Sequence, residues 1–160
     1  MGKTPDLRKI FEGPADARLV IKTKLFDQTI GTARYTKWTA NEVDIQGMVN
    51  YQGNSVNWSN PFTFSVQILD DKTCRLAFSS VDLNININIS QTFPYEYVHE
   101  SKFIVKISSY QLPNGNTVKG TIAISDSANG GAKINPDLEE FDSNGKKVQD
   151  INNGIIIRPE

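Results

Sequence analysis

Catalysis needs functional groups in pairs or clusters, and this chain offers few. Its one histidine, His99, lies in the segment FPYEYVHE between Tyr97 and Glu100. A histidine near a carboxylate can act as a general base. No second histidine exists to share a zinc ion, and Cys74 is the only cysteine, so no zinc site is expected. The single cysteine also excludes an internal disulfide framework. There is no G-x-S-x-G elbow, and Cys74 stands in no motif with His99. Residues 143–146 spell S-x-x-K, while Asp142, Asn144 and Gly145 echo the start of a calcium loop. Lys146 and Asn153 then occupy positions where that loop needs an oxygen donor and a glutamate. Both spellings read as one tight turn. The adjacent acids Asp70-Asp71 and Glu139-Glu140 diverge in an extended chain and read as solvated. No catalytic residue, metal ligand or cofactor is assigned.

Residues suited to binding are more evident. The stretch 81–90 reads VDLNININIS. It places Val81, Leu83, Ile85, Ile87 and Ile89 on one face, and Asp82, Asn84, Asn86, Asn88 and Ser90 on the other. Asparagine is depleted in strands. An unpaired amide costs about 1–3 kcal/mol to bury. The asparagine face is therefore an ordinary wet exterior, a hydrated ligand cavity or a contact between copies. Tyr35, Trp38, Tyr51 and Trp58 cluster in the first half of the chain. Exposed, they would be platforms for sugar rings or protein partners; otherwise they fill the core. The candidate ligand-binding set is Tyr35, Trp38, Tyr51, Trp58, Asn84, Asn86 and Asn88.

Alternation runs through most of the chain. A short helix is expected over 4–13, with Thr4 capping, Pro5 in the first turn and Gly13 at the C-terminal end. Strands are expected over 18–25, 30–38, 42–51, 62–68, 73–80, 81–90, 102–110 and 117–125, with Asn60-Pro61 as a break. Leu19, Ile21 and Leu25 would share the dry face of the first. Residues 126–160 read as loop-rich. Asn135-Pro136-Asp137 would start one helical turn through Leu138 and Phe141, and 155–157 would form a last short strand.

The expected fold is all-β: an up-and-down antiparallel barrel of about eight strands, lipocalin-like or similar, with a β-sandwich as the alternative. It forms one domain over 1–160, with main strands over 17–125. At 160 residues it can bury about 70% of its unfolded surface. No apolar run approaches the roughly 18 residues of a membrane-spanning helix. The net charge is −1 with no basic stripe, so nucleic acid is not an expected partner. No signal peptide opens the chain. Together with the lone cysteine this suits the cytoplasm, with export after signal removal as the alternative. Residues Gly145, Lys146, Lys147, Val148, Gly154 and Ile155 resemble the short sorting tail of type IX-secreted bacterial proteins over 141–159; no function is carried from it.

The expected function is a non-enzymatic module that binds a small molecule or glycan, or that self-associates. The alternatives are a structural or assembly protein, and a small barrel isomerase or cyclase using His99 or a buried glutamate.

Overall fold

Strands with one apolar face hide it most completely when their sheet curls until first and last strands meet. This chain does so. The computed structural model describes residues 3–24, 28–128 and 130–160, with Ile89 described by its backbone alone. Its helix is α1 (Leu7–Ile10). Its strands are β1 (Arg18–Thr23), β2 (Thr29–Trp38), β3 (Glu42–Gln52), β4 (Asn57–Ile68), β5 (Thr73–Ser80), β6 (Ile85–His99), β7 (Lys102–Gln111), β8 (Thr117–Asp126), β9 (Ala132–Phe141), β10 (Lys147–Ile151) and β11 (Ile155–Pro159). Strands β1 to β9 pair antiparallel in chain order, and β11 fits between β9 and β1 to complete the ring. The result is a closed barrel of ten strands, not eight, and not a sandwich.

The additional strands come from 126–160, expected to be loop-rich. Strand β9 pairs along its length with β8. On its other edge, β11 covers Ala132–Ile134 and β10 covers Leu138–Phe141. Both run antiparallel to β9, so β10 and β11 form one stave broken at 152–154. Pro136 lies level with that break, where the last stave requires no ladder donor from it, so it sits within a strand instead of starting a helical turn. Pro61 is tolerated for a similar reason. It pairs with Met48 on β3 but lies just beyond the β4–β5 ladder, which begins at Phe62. Asn60-Pro61 is thus strand and not a break.

Ten staves enclose a wider lumen than eight, and aromatic rings fill it. Phe11, Phe62, Phe64, Phe78 and Phe103 are fully buried, with Phe64 and Phe78 packed edge to face at 5.4 Å. The N-terminal segment plugs one end. Its helix is a single turn, capped by the Asp6 carboxylate, which accepts from the Arg8 N–H at 3.0 Å. Leu7, Ile10 and Phe11 are fully buried. The Asp6 and Leu7 amides donate to the Glu100 and Ala40 carbonyls, fastening α1 to the turns after β6 and β2. Gly13 lies flat against the Trp38 indole and does not cap the helix. The expected strand of 18–25 ends at Thr23, and Leu25 falls outside the described residues. No helix among the described residues is long and apolar enough to cross a membrane.

Candidate functional site

The end of the barrel opposite α1 is the one toward which the β6–β7 pairing stops. There the first half of β6 parts from β7. The two strands pair only where Tyr95–His99 faces Lys102–Val105. Above that level both strands bulge. Strand β6 carries extra residues at 88–90 opposite Ala77, and β7 shifts register between Ile107 and Tyr110. Bulges bend strands and end pairing, so the barrel wall splits here. The Tyr110 hydroxyl reaches across the split to Asn88 Oδ1 at 3.5 Å. Over the mouth, the Asn153 amide donates to the Leu83 carbonyl at 3.4 Å, so the break in the last stave meets the β5–β6 turn.

Between these features lies a cleft of about 510 Å³. Leu112, Val118, Ile151 and Ile85 supply its apolar floor. Asn84, Asn86, Asn88, Asn114 and Gln149 supply amides. A second hollow, about 330 Å³, shares Asn88 and Leu112 with it and continues toward Tyr110 and Gln91.

Deep in the cleft is Glu140, only 7% exposed. Strand β9 turns it inward in phase with Ile134, Pro136 and Leu138. Its carboxylate accepts from Asn116 Nδ2 at 2.7 Å and from Gln149 Nε2 at 3.1 Å. Gln149 stands directly across the ladder on β10. Ser80 on β5 lines the same cleft, fully buried, its Oγ without a hydrogen-bond partner.

The structure separates the seven sequence-derived candidates into three places. Tyr35 and Trp38 are at the plugged end. Their rings lie 6.1 Å apart; the Tyr35 hydroxyl donates to the Glu12 carbonyl, and Trp38 Nε1 donates to the Phe11 carbonyl at 2.7 Å. Both are occupied in holding the N-terminal segment. Tyr51 and Trp58 face each other at 5.6 Å on the β3–β4 hairpin, half-buried against the core, outside the cleft. Asn84, Asn86 and Asn88 are exposed and do line the cleft.

The asparagine strand is shorter at its start than its alternation implies. Residues 81–84 form the β5–β6 turn and Val81 is 70% exposed. Asn84 adopts a left-handed φ of 59° and its N–H donates to the Val81 carbonyl. Asp82 Oδ1 accepts from Asn60 Nδ2 at 2.9 Å. Asparagine and aspartate favour such local turn bonding over continued strand pairing.

Glu140 was expected to be solvated and is instead the buried acid of the mouth. The signal that reveals it is the alternation Ile134, Pro136, Leu138, Glu140, masked by reading Pro136 as a helix start. Ser80 continues the inward row of Cys74, Leu76 and Phe78. His99 is exposed at the plugged end, its Nδ1 within 3.1 Å of Ser101 Oγ. Histidine and buried glutamate are thus at opposite ends. Asp142 bonds the Asn144 and Lys146 amides, as a tight turn requires. Among the described residues no group of three His, Cys, Asp or Glu side chains could hold a metal ion.

Comparison with protein-family models, curated proteins and solved structures finds no match to this chain. What fold and cleft define together is a class: a filled, closed antiparallel barrel, plugged at one end and carrying an amide-lined cleft at the other.

Proposed function

We propose that this protein is a non-enzymatic binding module whose barrel mouth takes a small polar ligand rich in hydroxyl groups, carbohydrate first among these. One observation carries the reading: side-chain amides from β6, the β7–β8 turn and β10 converge on a single cleft above an apolar floor. Each amide presents a donor and an acceptor, as each sugar hydroxyl does. The apolar floor suits the C–H face of a sugar ring. A volume of about 510 Å³ falls within the roughly 300–1,000 Å³ of small-molecule sites.

The test is a glycan array followed by calorimetry on the hits. Asn86→Ala and Asn88→Ala remove exposed amides, so binding should weaken severalfold with little change in melting temperature. An array without hits, or hits indifferent to both substitutions, would sink the proposal.

A second reading, self-assembly, draws on β10, whose ladder among the described residues is with β9. An unpaired strand edge is a template for another chain. It predicts oligomers that grow with concentration; a monomer by light scattering across a hundredfold range of concentration removes it.

A further inference from the structure

Glu140 is an acid buried at the mouth without a cationic partner among the described residues. Its two bonds come from neutral amides, which satisfy lone pairs but supply no opposite charge. Nearby lysines are engaged elsewhere. Lys119 on β8 is exposed and lies over the Phe141 ring at 5.6 Å. Lys147 on β10 is exposed and bonds Glu139 and Asp150. Buried carboxylates are normally paired with a cation or a metal.

The second observation is independent. Ser80 lines the same cleft, and its buried Oγ has no hydrogen-bond partner. A buried polar atom without a partner calls for an explanation, an unseen ligand group among them. Carboxylate oxygens, a hydroxyl and the Oδ1 atoms of the β6 asparagines together make a set rich in acceptors. A primary ammonium group carries three N–H donors and no acceptor, so it matches that set. No aromatic ring of the described residues lines the cleft, which argues against a quaternary ammonium ligand, since those are held over ring faces. Divalent metal ions want several oxygen ligands, and among the described residues the cleft is lined by one carboxylate, Glu140.

We infer that the ligand of this cleft carries a primary ammonium group, an amino sugar if the carbohydrate reading holds, with Glu140 as its counter-charge and Ser80 Oγ as a second acceptor. The inference rests on the cleft being the binding site.

The experiment is calorimetry with two probes on the intact chain: a glucosamine tetramer and its fully N-acetylated counterpart, which lacks the charge. The expected result is binding of the glucosamine tetramer at least tenfold tighter than the acetylated one. Glu140→Gln, which keeps shape, should erase that difference while leaving the weaker binding of the acetylated probe in place. Equal affinities in the native protein would overturn the ammonium inference and leave the carbohydrate reading standing. No binding of either probe would overturn both. If Glu140→Gln does not fold, the comparison of the two probes on the native protein still decides, and Ser80→Ala should weaken the glucosamine tetramer selectively. Loss of both probes alike in Ser80→Ala would remove Ser80 from its assigned role.

Discussion

Asn116 Nδ2 donates to Glu140 Oε2 at 2.7 Å, so the turn after β7 holds a buried carboxylate of the barrel mouth. Removing the donor leaves that oxygen buried and less satisfied. Asn116→Ala should therefore cost about 1–3 kcal/mol, read as a lower urea midpoint with an unchanged slope. Asn116→Asp should cost more, because it places a second carboxylate beside the first. An Asn116→Ala midpoint within error of the native one would mean that the bond contributes nothing.

Two side chains from β2 help to hold the N-terminal plug. Tyr35 donates to the Glu12 carbonyl and Trp38 to the Phe11 carbonyl. Tyr35→Phe and Trp38→Phe each delete a donor, at about 0.5–1.5 kcal/mol. Amide hydrogen exchange should accelerate over 6–13 before it does in β3 or β4. Uniform acceleration across the barrel would show that the plug and barrel open only together.

Cys74 on β5 is fully buried, and burial pushes its thiol up to about 12. A thiol-specific disulfide reagent at pH 8 should leave the folded protein unmodified and react once per chain in denaturant. The same shift makes stability pH-dependent. The folded value lies above the ordinary value of 9.0, so the unfolded chain releases its proton first. This contribution is complete below pH 9 and is lost as pH rises through about 12. Tyr95, also pushed up to about 12 by burial, adds in the same direction from its ordinary 10.0. Urea midpoints should fall from pH 9 upward, less steeply in Cys74→Ala. Full reactivity of the folded thiol at pH 8 would contradict this packing.

Gly120 on β8 has a φ of +139°, and a Cβ there would lie 2.1 Å from the Asp137 carbonyl oxygen of β9. Gly120→Ala combines a disfavoured backbone, about 1–3 kcal/mol, with a clash against the neighbouring strand. Gly145, at φ +81° in the β9–β10 turn, has open space around it. Gly145→Ala should lose only the backbone part, about 1–2 kcal/mol. The comparison is of two melting temperatures, with Gly120→Ala the lower. The reverse order would show that β8 and β9 yield more readily than the turn.

Local patterns in the sequence show only part of the cleft. Asn84, Asn86 and Asn88 are legible as a polar row because alternation is local. The buried partner of that row was not legible. Glu140 shares its strand with Pro136, and a proline in mid-strand is acceptable only because the neighbouring stave is broken at the same level. That break is set by residues 152–154, far along the chain. The aromatic residues separate where their spacing suggests a cluster. Tyr35, Trp38, Tyr51 and Trp58 are close in sequence, but β2 and the β3–β4 hairpin carry the two pairs to different parts of the barrel.

By itself the sequence determined the class: inward rows such as Phe62, Phe64, Val66 and Ile68, or Phe103, Val105 and Ile107, dictate antiparallel strands around one core. A two-residue period is a property of each segment and survives without its neighbours. Tertiary structure alone decided the closure at ten staves, the split between β6 and β7, and the meeting of Asn116, Gln149 and Glu140 in one cleft. Those depend on register between segments, where a bulge of one or two residues changes which side chains face each other. No periodicity within a single strand records that.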